Sequence, residues 1–176
     1  RNGRQEVWER TQESDSPRLL MAASGWSHTR PRWSPDGTRI AYARSRRQDD
    51  TRVERTVAIM AVDTKSERVI GPAGPQELVP SDWSADGQSL LGSCRATAAQ
   101  RMGTCTMSVT SGERREIASA ANVDMMQHRF SPNQRWISFI TIAPNERSVA
   151  RVYLMPAAGG AWIPVTDGAW YDDKPR

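Results

Sequence analysis

The chain has 176 residues, a formal net charge of +4 and a hydrophobic fraction of 38%. A chain of this length can bury one substantial core, so its size does not require two domains. No apolar run approaches the roughly 20 residues that cross a bilayer. Residues 1–6 also lack the apolar stretch of a signal peptide. We therefore predict no membrane insertion.

Almost all of the positive charge is carried by arginine, which raises the question of a nucleic-acid partner. The arginines are spread along the whole chain and alternate with acidic residues. The densest group, Arg44, Arg46 and Arg47, is followed at once by Asp49 and Asp50. Interleaved charges of both signs are typical of a solvated surface. We therefore do not predict nucleic-acid binding.

The N-terminal residues contain two short β-strand patterns. Residues 6–10 and 17–21 are followed by longer copies of a similar arrangement. We interpret them as the third and fourth strands of a four-stranded unit whose complete copies come next.

An aromatic-Ser-x-(Asp/Asn)-(Gly/Gln) block then occurs three times. It lies at residues 33–37 (WSPDG), 83–87 (WSADG) and 130–134 (FSPNQ), at intervals of 50 and 47 residues. Proline presets φ, aspartate hydrogen-bonds its own backbone and glycine accepts positive φ, so each block predicts a tight turn. We expect the aromatic residues Trp33, Trp83 and Phe130 to anchor the core.

Three further strands are predicted after each turn from period-two alternation and β-rich composition. The second strands lie at residues 40–43, 90–94 and 137–141; the third at 57–62, 105–109 and 152–155; the fourth at 68–70, 115–118 and 162–166. Four strands joined by tight turns and repeated at this period define the blades of a β-propeller.

The predicted fold is all-β: a partial β-propeller of about three four-stranded blades plus a half blade at the N-terminus. The boundaries are 1–24 for the half blade, 29–80, 81–121 and 127–168 for the blades, and 169–176 for the start of the next blade. Propellers close with about four to eight blades. The array is therefore either a fragment of a longer chain or self-associates through its open blade faces.

The two cysteines, Cys94 and Cys105, lie on strands predicted to be consecutive and antiparallel. Facing positions on such strands fall within the ~5.5–6 Å Cα separation of a disulfide. Both a disulfide and two reduced thiols fit this spacing, and a bridge would indicate an oxidising compartment. The C-x-x-C spacing of many metal sites is absent.

Residues 31–42 (PRWSPDGTRIAY) closely resemble the WD-like repeat of TolB-type β-propellers, which is also found in the N-terminal domains of prolyl-oligopeptidase-like peptidases. The resemblance covers essentially the whole chain. The second repeat departs at Ala85, and the third at Phe130, Asn133 and Gln134, where we expect asparagine to replace glycine at positive φ.

The resemblance implies a propeller that is commonly six- or seven-bladed and a role in binding a protein or peptide. It does not imply one partner, because the same repeat serves periplasmic assembly factors, peptidase gates and sensor regions of bacterial regulators. We expect a bacterial protein in the periplasm or another extracytoplasmic compartment, with the cytoplasm left open.

The candidate interaction surface is the rim where loops entering the first strands meet loops joining the second and third strands. Aromatic residues, methionine and arginine dominate interface energetics. The predicted rim residues are Trp26, His28, Arg30, Met125, Met126, His128, Trp170, Tyr171 and Asp172. The alternative for Trp26 and Trp170 is that they fill the space between blades.

Sequence signatures of catalysis are missing. There is no Gly-x-Ser-x-Gly elbow and no glycine-rich phosphate loop, and His28 and His128 lack an accompanying carboxylate pair. We predict no catalytic residue, no metal and no cofactor, hence a non-enzymatic module that binds a protein or peptide. Two alternatives are the gating propeller of a serine peptidase whose catalytic domain lies outside this chain, and the sensory propeller of a bacterial regulator.

Overall fold

The computed structural model describes residues 6–10, 16–21, 25–49, 52–71, 78–97, 99–145 and 149–169. These residues form β-strands, turns and loops, without a helix. The first two strands, β1 (Val7–Glu9) and β2 (Arg18–Met21), pair as an antiparallel two-stranded sheet. No helix in the described part of the chain is long and apolar enough to span a membrane.

Three four-stranded antiparallel sheets follow, each built from consecutive strands. The first contains β3 (Ser27–Trp33), β4 (Arg39–Arg47), β5 (Val53–Ala61) and β6 (Glu67–Ile70). The second contains β7 (Leu78–Trp83), β8 (Ser89–Cys94), β9 (Gly103–Ser108) and β10 (Arg114–Ala118). The third contains β11 (Asp124–Phe130), β12 (Trp136–Ile142), β13 (Ala150–Pro156) and β14 (Ile163–Pro164). This arrangement confirms the predicted partial propeller of three blades and a half blade.

The opening strand of each blade is longer than the sequence pattern suggested. These strands begin at Ser27, Leu78 and Asp124, a few residues before the predicted blade starts at 29, 81 and 127. The division of the chain at the predicted boundaries stays a prediction.

The turn after β3 has the hydrogen bonds that its sequence predicts. Ser34 Oγ donates to the Asp36 carboxylate, which also accepts the backbone N–H of Thr38 at 3.0 Å. These hydrogen bonds hold the pKa of Asp36 at about 2, well below its usual range. Gly37 has a φ of 70°, which a glycine adopts without strain.

The turn after β11 uses a different residue at positive φ from the one expected. Asn133 occupies the position of the aspartate, and its Oδ1 accepts a hydrogen bond from Ser131 Oγ at 2.8 Å. The positive φ, 59°, belongs to Gln134. The expectation that asparagine replaces glycine is therefore wrong, because Asn133 is already engaged as the acceptor that holds the turn.

The three repeated aromatic residues lie in unequal environments. Trp83 is 4% exposed, and its Nε1 donates to the carbonyl of Arg32 in the preceding blade at 3.0 Å. The Arg39 guanidinium lies 5.0 Å from the centre of the Trp83 ring. Phe130 is half-buried against the apolar cluster of the third blade.

Trp33 departs from the predicted core position, because 48% of it is exposed. In the described residues, the sheet that precedes its blade has two strands, where the blade that precedes Trp83 has four. Trp33 therefore lacks the cover that the first blade gives to Trp83. The expected anchoring role is wrong for Trp33 and is confirmed for Trp83.

A disulfide joins Cys94 on β8 to Cys105 on β9, with a Cα–Cα distance of 5.8 Å. In the strand register, Cys94 faces Gly103 and Cys105 faces Gly92, so the bridge runs diagonally between adjacent strands. Both cysteines are buried. Of the two alternatives that the sequence left open, the structure contains the bridge.

Candidate interaction site

The opening strands of the three blades lie next to one another, with β7 in contact with both β3 and β11. Each has a register irregularity before its aromatic residue. Within these irregularities Arg30 and Gln127 both have a φ of 57°. Each lies three residues before the repeated aromatic, so the first and third blades share this unusual backbone conformation. Irregularities of this kind re-aim side chains, and are common beside functional sites.

A cavity of 260 Å³ lies between the opening strands, and we call it the inner-strand cavity. Residues of all three blades line it: Thr29, Arg30, Ala43, Arg44, Ser45, Arg55, Val79, Ser81, Ser93, Met102, Met126 and Gln127. In the described part of the chain, the lining combines guanidinium groups, hydroxyls and two methionines, and includes no carboxylate. Such a surface is suited to a polar, negatively charged group with some apolar contact.

A positively charged cluster adjoins the cavity at Ser81. The Nε of Arg32 and the Nη1 of Arg129 both donate to the Ser81 carbonyl at 2.6 Å. Asp82 is the neighbouring carboxylate: its Oδ1 lies 3.7 Å from Arg129 Nη1, and its Oδ2 accepts the backbone N–H of Phe130 at 2.9 Å. Hydrogen bonds to Ser81 and Asp82 thus connect the opening strands of all three blades.

The cluster carries more positive than negative charge. Burial lowers the pKa of Arg32, and the charges of Arg129 and Arg30 lower it further, while Asp82 opposes them. Like charges held this close in a partly desolvated place repel one another more strongly than they would in water. An anion placed nearby would relieve that repulsion.

The predicted rim residues fall into several environments. Arg30 is exposed and Met126 is half-buried, and the two line the inner-strand cavity together. Trp26 is half-buried, with the guanidinium carbons of Arg44 and Arg46 at 4.2 and 4.6 Å from its ring centre. Trp170, Tyr171 and Asp172 lie outside the described residues.

Three predicted rim residues are core residues instead. His28, Met125 and His128 are 6%, 0% and 0% exposed. His28 and Met125 lie five residues before the repeated aromatic, the position that buried Leu78 holds in the second blade. His128 lies two residues before its aromatic, the position that buried Ser81 holds in the second blade. Because all three side chains are enclosed in the interior, they do not present an interaction surface, and the prediction is corrected for them.

Arg32, Ser81, Asp82 and Arg129 of the opening strands are not among the residues predicted from the sequence. Arg32, Asp82 and Arg129 each directly precede the repeated aromatic of their blade. Aligning the three repeats at that aromatic places these charged residues in one row, and would have identified the cluster. The contribution of Ser81 could not be found in this way, because it acts through its backbone carbonyl.

His128 is completely enclosed. Its Nε2 lies 2.8 Å from Thr104 Oγ1, and its Nδ1 has no hydrogen-bond partner in the described structure. The ring stacks on Phe139 at a centroid distance of 6.0 Å. Burial lowers the pKa of His128 to about 3, so the imidazole is neutral in the folded protein near neutral pH.

Acidification should therefore destabilise the fold through His128. In the unfolded chain the imidazole has a pKa of about 6.5 and takes up a proton below that pH, whereas the buried imidazole stays neutral. The free energy of unfolding is therefore highest above about pH 6.5 and decreases below it. From about pH 7.5 to about pH 5 we expect a loss of about 2 kcal/mol in unfolding free energy that is absent in His128→Gln. Urea denaturation across this range measures it, and parallel pH profiles for the two proteins would contradict it.

In the described residues, one group of side chains has the spacing of possible metal ligands. It consists of Cys94, Cys105 and Glu116, whose ligand atoms lie within 4.8 Å of one another. The two sulfur atoms are bonded to each other, so neither supplies a thiolate. This group is a structural bridge beside an exposed glutamate.

The chain was compared with known proteins by sequence and by structure, and the structural comparison shows its fold. No protein-family model matches the sequence, and no curated protein matches it. Among solved structures, the chain is similar to a protein assigned as TolB from Agrobacterium tumefaciens, with a TM-score of 0.73 and 19% identity over 94% of this chain and 57% of that one.

Two further structures show the same architecture. A prolyl endopeptidase structure has a TM-score of 0.67 and 14% identity, over 96% of this chain and 27% of that one. A nidogen/laminin complex has a TM-score of 0.67 and 11% identity, over 94% of this chain and 58% of that one. At these identities the likeness shows the fold, and it confirms the resemblance to TolB-type β-propellers. The chain spans little more than half of the TolB structure.

Proposed function

We propose that this chain is a non-enzymatic propeller module that binds a protein or peptide at the inner-strand cavity and the adjoining rim. The observation that carries the proposal is that Arg30 of the first blade and Met126 of the third line one cavity. Arginine and methionine are both enriched at interfaces. Rigid strands hold both residues in place, so that little conformational entropy is lost when a partner docks.

The resemblance to peptidase propellers supports a second form of this proposal. The chain matches 27% of a prolyl endopeptidase structure, so the module can serve as the propeller of a larger peptidase and bind its peptide substrate. In both forms the propeller contributes binding, and any chemistry belongs to another domain.

The disulfide supports a location for the module. Cys94 and Cys105 are bonded and buried in the second blade. Disulfides form and persist in oxidising compartments and are rare in the cytosol. We therefore place the module outside the cytoplasm, and the periplasm of a bacterium is the compartment that also fits the TolB-like fold.

Selection of phage-displayed random peptides on the immobilised chain tests the proposal. Peptides that bind should lose about tenfold in affinity for Met126→Ala, because truncation removes an apolar contact inside the cavity. Val69→Ala is the matched control, since Val69 is exposed on β6 and does not line the cavity. Selected peptides that bind Met126→Ala as tightly as the unmodified chain would contradict binding at this site.

A further inference from the structure

We propose that the inner-strand cavity binds a carboxylate group and that the module's partner is therefore an acidic peptide. This inference rests on the proposed function and adds the chemistry of the partner. It follows from the composition of the cavity, from the charge balance around it and from the size of the space.

The lining of the cavity selects for negative charge. Arg30, Arg44 and Arg55 contribute to it, and among the residues that the structure describes no aspartate or glutamate does. Ser81 belongs to the same lining and carries a hydroxyl that can donate a further hydrogen bond, whereas the Thr29 hydroxyl already donates to the Ala43 carbonyl at 3.5 Å. Guanidinium groups recognise carboxylates through paired N–H donors, and such charge-assisted hydrogen bonds are stronger than neutral ones.

The arginines of the lining differ in the interactions that their guanidinium groups already make within the protein. Arg44 forms an ion pair with Glu67 and stacks on Trp26. Arg30 is exposed, and its side chain has no hydrogen bond or ion pair to any residue that the structure describes. Its donors are therefore available to a ligand at the cavity, and we assign it the principal contact with the carboxylate.

The neighbouring cluster increases the preference for an anion. Arg32 and Arg129 converge on the carbonyl of Ser81, which itself lines the cavity. Asp82 is the carboxylate that offsets Arg129 there. The guanidinium groups of Arg129 and Arg30 and the carboxylate of Asp82 all act on Arg32. Among these described groups positive charge exceeds negative charge, and the resulting potential attracts a further acidic group.

The size of the cavity favours a side chain or chain end over a larger ligand. Its volume is 260 Å³, slightly below the range of about 300–1,000 Å³ that is typical of small-molecule pockets. A carboxylate with its short apolar stem fits this space, with Met102 and Met126 beside the stem. The rest of the peptide would lie along the adjoining rim.

The repeated backbone conformation provides matched variants. Arg30 and Gln127 share a φ of 57° at equivalent positions, and both line the cavity. Arg30→Gln thus places in the first blade the residue that the third blade already carries in this conformation. Gln127→Arg makes the reverse change, so both variants are expected to fold and differ only in the charge that they present.

Fluorescence anisotropy with labelled, N-acetylated peptides tests the proposal on the whole chain. The probes are a short oligoglutamate with an amidated C-terminus, an oligoglutamine of equal length with an amidated C-terminus, and the same oligoglutamine with a free C-terminal carboxylate. Oligoglutamate should bind more tightly than amidated oligoglutamine. Arg30→Gln should weaken this binding by at least about tenfold, and Gln127→Arg should strengthen it.

Arg47→Gln is the charge-matched control. Arg47 is exposed on β4, the strand that pairs with β3, and it does not line the cavity. Its loss should change the affinity by less than about twofold, as expected for an exposed surface charge. Equal weakening by Arg30→Gln and Arg47→Gln would show general electrostatic attraction and overturn the assigned site.

The peptide arms distinguish the source of the carboxylate. Tight binding of the oligoglutamine with a free C-terminus would assign the cavity to a chain end, whereas tight binding of amidated oligoglutamate alone assigns it to acidic side chains. Both results support a carboxylate site if they depend on Arg30. A single-stranded oligonucleotide that binds more tightly than either peptide, with the same dependence on Arg30, would overturn the peptide assignment.

Failure of this inference is separable from failure of the proposed function. If neither oligoglutamate nor the oligoglutamine with a free C-terminus binds better than amidated oligoglutamine, the carboxylate assignment is wrong. Peptides selected by phage display that still depend on Met126 would then keep the binding module without the preference for acidic partners. If those peptides are also insensitive to Met126, the proposed function fails as well.

Discussion

Replacing Trp83 by alanine is expected to lower the free energy of unfolding by about 3–5 kcal/mol. The indole is 4% exposed and fills the interface between the first and second blades. The substitution also removes its hydrogen bond to the carbonyl of Arg32 and its contact with the Arg39 guanidinium. Urea denaturation followed by circular dichroism measures the change.

Trp33→Ala is the internal control for this prediction. Trp33 occupies the same position of the repeat but is 48% exposed, so its loss should cost less than about 1 kcal/mol. Equal effects of the two substitutions would contradict the unequal packing between blades. A near-zero effect of Trp83→Ala would contradict the role of Trp83 as a core anchor.

Removing the disulfide is expected to lower the free energy of unfolding by about 2–3 kcal/mol. Cys94 and Cys105 are separated by 11 positions in the sequence, and closing such a loop restricts the unfolded chain. The double variant Cys94→Ala/Cys105→Ala and the unmodified chain in reductant should both show the loss. Reductant should leave the double variant unchanged.

An unchanged stability in reductant would contradict the prediction for the disulfide. If reductant leaves the denaturation midpoint of the unmodified chain in place, the bridge does not contribute to stability. The same result would weaken the proposed extracytoplasmic location, because that proposal depends on a bridge that forms and matters.

Much of the fold could be predicted because its determinants are local. The blocks beginning at Trp33, Trp83 and Phe130 each encode a turn through side chains that hydrogen-bond neighbouring backbone, as Asp36 does with Thr38. Strand alternation then sets the faces of each sheet. The turn after β11 was harder to predict because two of its residues have different roles. Asn133 accepts the hydrogen bond from Ser131 that holds the turn, and Gln134 adopts the positive φ.

The site was harder to predict because it depends on contacts between blades. Arg30 and Met126 belong to residue types that favour interfaces, and the structure brings them together at one cavity. Residue type gives the same prediction for His28, Met125 and His128, yet these three are buried. The direction in which an opening strand points its side chains depends on the irregularities before each aromatic, and these have no simple sequence signature.

The central claim is that strands from three blades form one binding site. Titrating the isotope-labelled chain with the oligoglutamate peptide, while recording backbone amide chemical shifts, tests it most directly. We expect Thr29, Arg30, Ser81, Met126 and Gln127 to shift together with one dissociation constant. Shifts confined to a single blade, or to the Arg46–Arg47 end of β4, would contradict the claim.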